Sequence, residues 1–323
     1  MLSLDDLTRL SVKLWPIIKN GNCVAWVGAG LSEVADYPGW QETVRHLCKA
    51  CQVTPLPPEH YPSADELMDK ADECKQANLT AYNTSLGQLF GGPVVTTRRA
   101  FHLLMKLPFR AYVTTNFDPL LDDAAGAHGK RTVCTYPALP IPIIERNPGS
   151  IFHLHGLARQ NNMPRGEGLV LSTSEYDLAY GNTGPVADFL TQLLLYYDVL
   201  FIGCSLAEPA MYEAFARVHT IHLQIQRSQP GARTPQRFVL RPTLYSGSDE
   251  IRIASAGKGI ERDYQAEQAE DVRFGEMEIE VVRYEPTDDR HSEVEELLEQ
   301  LCNRAHIQVS SEVRHGLSQK VFP

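Results

Sequence analysis

The chain has no apolar run approaching the roughly 18 to 20 residues that a membrane-spanning helix requires. Its first residues, MLSLDDLTRLSVKLW, carry acids at helical spacing where a secretory signal has a basic start and an unbroken apolar core. Both absences predict a cytoplasmic protein. Basic residues are in deficit as well: 30 Lys and Arg stand against 40 Asp and Glu, giving a formal charge of -10 and a pI near 5.6. That balance argues against a broad basic surface and therefore against direct nucleic-acid binding. The seven cysteines (Cys23, Cys48, Cys51, Cys74, Cys134, Cys204 and Cys302) are odd in number and scattered through regular segments, the pattern of reduced core thiols rather than of a disulfide scaffold. Internal repeats and low-complexity tracts are absent. What remains is an ordinary globular balance, 43% hydrophobic and 22% charged, in a chain long enough for one large α/β domain with an insertion or for two small domains.

Leu4, Leu7, Leu10, Leu14 and Ile17–Ile18 recur at helical spacing until Gly21-Asn22 breaks the pattern. The apolar run Cys23–Val27 then reads as a strand ending in Gly28-Ala29-Gly30-Leu31-Ser32, with a second helix, WQETVRHLCKACQ, from Trp40. Pro55, Pro57, Pro58 and Pro62 interrupt the chain after this helix, and 63–107 reads as helices broken near Gly91-Gly92-Pro93, an all-helical insertion over about 53–107. Strand character returns at Arg110–Thr115, followed by Asn116-Phe117-Asp118 and a helix. Segment 131–150 is proline-rich and irregular. Further strands are predicted at Ile151–Leu154, Gly168–Ser172, Asp198–Gly203, 237–241 and 278–284, and helices at Val186–Tyr197, 210–226 and Ser292–Leu301, with a mobile loop at 245–270. Strands alternating with helices predict a Rossmann-like, doubly wound, mainly parallel sheet.

In such a sheet ligands bind beyond the carboxyl ends of the strands. Four predicted strands end there in glycine or polar motifs: GAGLS (28–32), TTNFD (114–118), LHG (154–156) and IGCS (202–205). A GxG turn lets backbone amides approach a pyrophosphate, although a glycine turn without a ligand is an equally ordinary feature. The third glycine of a hydride-transfer fingerprint is missing. A neutral histidine such as His155 has the ordinary pKa, about 6.5, to accept a proton near neutrality, and an amide such as Asn116 can hold a nucleophile without adding charge. Taken singly, His155 also reads as a satisfied structural histidine and Asn116 as a helix cap. His153, two residues earlier and on the same face of a regular strand, leaves the choice of base open, with His155 favoured by the glycine after it. A hydrolase triad on Ser32 is disfavoured because GAGLS is not a GxSxG elbow.

The ordered set GAGLS, TTNFD, HG and FIGCS resembles the sirtuin-like family, and GLVLSTSEY (168–176), VVRYEP and HSEVEELLEQL extend the likeness to its bacterial phage-defence branch. The resemblance spans about 22–305 and implies one NAD-binding domain over 1–305, with a C-terminal tail at 306–323. It implies that Gly28, Ala29, Gly30 and Ser32 hold the pyrophosphate and adjoining ribose, that Thr115 and Asn116 face the nicotinamide ribose, and that His155 is the general base. Gly203 and Ser205 would lie by the adenosine ribose. Asp118 positions the ribose or caps the next helix, and Trp40 and Tyr176 are pocket walls or core.

The sequence departs from the family's protein deacylases in two places. The only CxxC is Cys48-Lys49-Ala50-Cys51, and after His155 only Cys204 and Cys302 remain, so no four-cysteine zinc site is expected. The first motif also continues as SEVADYPGW, without the deacylase pattern. These departures move the expected acceptor from acyl-lysine to water. The expected activity is NAD hydrolysis to nicotinamide and ADP-ribose, which the resemblance connects with NAD depletion in abortive antiphage defence. It also implies control by a homo-oligomer or by a partner such as a HerA-class DNA-translocating ATPase or a short Argonaute. A deacylase or ADP-ribosyltransferase, and a silent module sensing NAD or ADP-ribose, are the alternatives; the glutamate at 208 in SLAEP, where the branch often has aspartate, keeps the last one open.

Overall fold

The computed structural model describes residues 4–33, 37–57, 60, 62–92, 99–129, 132–160, 163–181, 183–206, 208–245, 262–286 and 291–318. Along the chain run α1 (Leu4–Ile18), β1 (Cys23–Val27), α2 (Ala29–Glu33), α3 (Trp40–Cys51), α4 (Ala64–Ala77), α5 (Leu79–Phe90), α6 (Arg99–Lys106), β2 (Ala111–Thr114), α7 (Leu120–Ala127), β3 (Val133–Thr135), α8 (Pro142–Arg146) and β4 (Ser150–His153). The rest comprises β5 (Arg159–Gln160), β6 (Met163–Pro164), α9 (Thr173–Tyr180), α10 (Pro185–Tyr196), β7 (Asp198–Ile202), α11 (Pro209–Ser228), β8 (Arg237–Pro242), α12 (Tyr264–Glu276), β9 (Glu280–Tyr284) and α13 (Ser292–Ser318).

Seven strands form one sheet in the order β3-β4-β2-β1-β7-β8-β9, every neighbouring pair parallel, while β5 and β6 form a separate antiparallel pair. This is a doubly wound α/β fold. The central strands CVAWV and DVLFI are buried from end to end, as a strand covered on both faces requires. Their side chains alternate between two cores. Cys23, Ala25 and Val27 of β1 join Leu200 and Ile202 of β7 on the face covered by α1, α6, α7 and α13. Val24, Trp26, Val199 and Phe201 point to the opposite face, under α10 and α11. A third core sits among α3, α4 and α5, with Leu47, Cys48, Cys74, Tyr82 and Leu86 at its centre. The helix α4 starts where it does because Ser63 accepts from the Glu66 amide at 3.2 Å while the Glu66 carboxylate accepts from the Ser63 amide at 2.9 Å. Within the predicted insertion the structure separates α6, which packs on α13 and the sheet core under α1, from α4 and α5, which pack mainly on α3, with Met68 of α4 reaching the core on the opposite face of the sheet.

Four expectations are corrected. Gly168–Ser172 is not a strand: only one backbone bond, Val170 N–H to the His155 carbonyl at 2.9 Å, ties it to its neighbour, and Ser172 and Glu175 form a capping box that starts α9. The irregular segment 131–150 contains β3 and α8, β3 being a three-residue edge strand too short to show a period. The C-terminal helix continues past Leu301 to Ser318. The expected loop at 245–270 includes the start of α12, while 246–261 lies outside the described residues, as does 93–98. No helix among the described residues is long and apolar enough to cross a membrane.

Candidate functional site

From β1 the chain moves to β2 and its side of the sheet, and later returns to place β7 against the other edge of β1. The order therefore reverses between β1 and β7, where an open parallel sheet has a crevice at its carboxyl end. The loops leaving these strands are knotted together there. The Gly28 N–H donates to the Ile202 carbonyl at 2.9 Å and the Gly30 N–H to the Gly203 carbonyl at 3.0 Å. A Cβ on Gly28 would lie 2.4 Å from the Gly203 oxygen, and Gly203 has φ +68 with the Leu31 nitrogen 2.7 Å from where its own Cβ would be. Neither position accepts a side chain. The glycines of GAG and IGCS are thus required first by each other, while Ala29 stands exposed on the lip.

Two cavities open over this knot. The larger, about 710 Å³, runs from Gly28 and Gly203 past Ser205 to Arg241 and Tyr284, within the usual range for ligand sites. The smaller, about 110 Å³, is walled by Ser32, Asn116, Phe117, Asp118, His155 and Tyr176. Ala29, Trp40, Thr115 and Glu208 border both and form the neck between them. At that neck the Trp40 indole N–H is buried with no hydrogen-bond acceptor among the described residues, a donor left for a ligand. A two-part ligand, joined in the middle and rich in acceptor oxygens, suits this shape.

Asn116 is fixed from three sides. Its backbone N–H donates to Thr114 Oγ1 at 3.0 Å, and the Thr114 hydroxyl donates across to the Val27 carbonyl at 2.7 Å, tying β2 to β1. Its side-chain amide donates to Ser32 Oγ at 2.8 Å. Ser32, buried, is hydrogen-bonded in turn to Asp118, whose Oδ1 accepts from the Leu120 N–H at 3.1 Å and so begins α7. Burial raises the Asp118 pKa, against the lowering effect of Ser32 and that amide. The structure therefore places Ser32 and Asp118 beneath Asn116.

His153 and His155 have different surroundings. His153 ends β4 fully buried, with Nε2 2.7 Å from Asp122 Oδ2 and Nδ1 3.4 Å from the Asn116 carbonyl. Both neighbours are acceptors, so both ring nitrogens donate. Burial by itself would lower its pKa, but Asp122 outweighs it and the net direction is upward. His153 thus holds the Asn116 backbone, with Asp122 favouring its protonated form. The chain turns after β4, and His155 lies instead against Phe117, Tyr176 and Tyr180, its Nε2 2.6 Å from the Tyr180 hydroxyl. Burial lowers its pKa to about 3, so the imidazole is neutral at physiological pH. Tyr176 stacks on Tyr180 with centroids 5.2 Å apart and is hydrogen-bonded to Glu208. Glu208 is partly exposed as a residue, yet its carboxyl is enclosed, and burial raises it to about 7 against the lowering effect of Tyr176.

Residues 110–242 match the SIR2-like domain. No curated protein matches the chain. The SIR2-like segment runs from the start of β2 to the end of β8, so it contains Thr115, Asn116, Asp118, His155, Gly203 and Ser205. GAGLS lies outside it and joins it through the β1/β7 contacts. SIR2-like domains use NAD. The glycine knot, the neck with its indole N–H and the divided cavity fit such a dinucleotide. Among the described residues no group of three or more His, Cys, Asp or Glu could hold a metal ion, and the Cys48 thiol lies 3.6 Å from Cys74 in the helical core. Sequence reasoning missed Tyr180 altogether and left Glu208 without a role. Tyr176 and Tyr180 sit four residues apart and so share a helix face, the one signal that could have found the pair.

Proposed function

We propose that this protein is an NAD hydrolase that breaks the nicotinamide–ribose bond and passes the ribose to water, giving nicotinamide and ADP-ribose. The observation that carries this reading is the neck, which joins a large cavity on the β1/β7 crevice to a small one walled by Asn116 and His155. With its pyrophosphate on the Gly28–Gly30 turn and its adenosine in the large cavity, NAD would set its second ribose at the neck and its nicotinamide in the small one. Gly203 and Ser205 would border the adenosine half, and Thr115 the nicotinamide ribose.

Nicotinamide leaves as a neutral molecule from a cationic ring, so the departing group needs no proton. The developing positive charge falls on the ribose, which favours a shielded site with fixed polar contacts and a positioned water. The Asn116 amide, rigid on Ser32, supplies such a contact, and the neutral His155 ring supplies another. Water is favoured over an acyl-lysine acceptor because the sequence has no cysteine quartet to build the zinc-supported peptide groove. The phage-defence likeness adds NAD depletion as the biological effect, with control by a homo-oligomer or by a partner such as a HerA-class ATPase or a short Argonaute. Purified protein incubated with NAD, alone and with those partners, should release equal amounts of nicotinamide and ADP-ribose. Asn116→Ala and His155→Ala should each remove the activity while the protein stays folded. NAD binding without any product under all conditions refutes the reading in favour of a silent sensing module.

A further inference from the structure

Four side chains form the neck, and among Ala29, Trp40, Thr115 and Glu208 only the last ionises. His155 is poorly suited to collect a proton at neutral pH, since burial makes it a weak base and Tyr180 occupies its Nε2. We infer that Glu208 is the catalytic base of this site: its carboxylate, held at the neck by the Tyr176 hydroxyl, takes the proton of the attacking water. The inference rests on the hydrolase reading and deepens it.

The step balances without a further reactant. The C1′–N bond breaks and its electron pair leaves with nicotinamide, cancelling the ring's positive charge. A water oxygen bonds to C1′, and one water proton passes to the Glu208 carboxylate, giving the neutral acid and ADP-ribose. The carboxyl then returns its proton to solvent through the larger cavity. Position alone recommends Glu208, because the nicotinamide ribose would lie at the neck and the bond to be broken leads from it into the small cavity. Its chemistry agrees: an acid titrating at about 7 is matched to a proton transfer at neutral pH. The groups facing it are Tyr176 and Tyr180 from α9 and Cys204 from the end of β7, all raised by burial and neutral, with Arg241 of β8 farther along the cavity and paired with Glu270. Among the described residues no cation at the neck neutralises the carboxylate in advance. The glutamate sits there because Gly203 turns the chain out of β7 and Glu208 takes the N-cap position of α11, which begins at Pro209, its side chain making no capping bond and so left for the neck.

The test compares native protein with Glu208→Gln, Glu208→Asp and Tyr176→Phe. Nicotinamide release across pH, NAD affinity by calorimetry, and carboxyl titration of the ligand-free protein by carbon-13 NMR are the three readouts. The native rate should fall below about pH 7. Glu208→Gln should lower turnover by about 100-fold or more, abolish that acidic limb and change NAD affinity by less than about two-fold. Glu208→Asp should keep a limb with reduced turnover. Tyr176→Phe removes the bond that favours the carboxylate and should move both the limb and the NMR titration to higher pH. A Glu208→Gln protein retaining half the native turnover, or the same limb, overturns the inference. Should that variant fail to fold, a limb unmoved in Tyr176→Phe and a carboxyl titrating near its ordinary 4.5 overturn it instead. Native turnover with an unaffected Gln variant removes this inference alone; native protein that binds NAD and never releases nicotinamide removes the hydrolase reading and this inference with it.

Discussion

Replacing Glu208 by glutamine should stabilise the fold at alkaline pH while it disables the site. The Glu208 carboxyl titrates at 4.5 when unperturbed and at about 7 in the folded chain, because burial disfavours its charged form. A folded-state pKa raised in this way gives relative stability that is fully present below pH 4.5 and is lost as pH rises through 7. At 1.36 kcal/mol per pH unit, the ionised carboxylate costs the folded protein at most about 3 kcal/mol at pH 8.5, less where solvent enters the neck. At pH 5.5 the folded group is largely protonated and the cost is about 1 kcal/mol. Glutamine carries no charge at either pH and still offers a carbonyl oxygen to Tyr176. The advantage of Glu208→Gln should therefore grow by about 2 kcal/mol between pH 5.5 and 8.5, a difference of roughly 3 °C in melting temperature for a chain of this length. Paired thermal melts of native and variant protein at the two pH values measure it, and subtraction removes every other titrating group. A difference that is constant across pH, or a variant less stable at both, refutes the enclosed carboxyl at the neck. The expected pairing of gained stability with lost activity is what a strained functional site produces.

Two further perturbations probe the frame around that carboxyl. Gly28→Ala should destabilise the protein by about 1–3 kcal/mol in urea titration and weaken NAD binding together, because the new Cβ would stand 2.4 Å from the Gly203 oxygen with backbone on both sides; an alanine variant of native stability refutes the knot. Asp122→Asn should cost about 2–3 kcal/mol at pH 6 by removing the carboxylate that pairs with buried His153. Since His153 is raised by that partner, the pair's contribution is complete below the ordinary imidazole value and fades as pH rises through the raised one. Native and variant stabilities should therefore converge in alkaline buffer, and a gap independent of pH refutes the charged pair.

The sheet was legible because its central strands are fully buried and therefore apolar without interruption, each closing in glycine, Asn or His. Register was also within reach, since Val24 and Trp26 must face the other core from Ala25 and Val27. GLVLS misled for a physical reason: its apolar residues are divided between two cores, Leu169 and Leu171 in the helical one and Val170 in the sheet core under α10 and α11, which imitates the alternation of a strand. The signal that overrides it is the S-x-x-E box at Ser172 and Glu175, whose carboxylate also accepts from the Leu171 amide at 3.0 Å. His153 and His155 could not be separated by period alone, because the strand ends between them and its alternation ends with it. The partners of His155 and Glu208 were out of reach for a simpler reason: they come from α9, and only the folded chain brings that helix against both the β4 loop and the α11 cap.

The glycine motifs raise a question about what such patterns report. Gly28 and Gly203 are each forced by the other's backbone, so both would be needed in a chain that bound nothing at the β1/β7 crevice. Their presence identifies a close crossing of two strand ends, and the crossing is what creates the crevice. The features that ask for a ligand are different ones: an indole N–H without an acceptor among the described residues, a carboxyl whose burial raises its pKa, and an asparagine amide braced by a serine whose other bond goes to Asp118. None of these improves packing, and the buried carboxyl opposes folding at neutral pH. Trp40 and Glu208 lie at the neck the two cavities share, and Asn116, its amide already bonded to Ser32, walls the smaller one, although the three come from separate stretches of chain. Convergence of unfavourable polar groups on one cavity is hard to account for by fold stability, whereas a polar ligand completing their contacts accounts for all three at once.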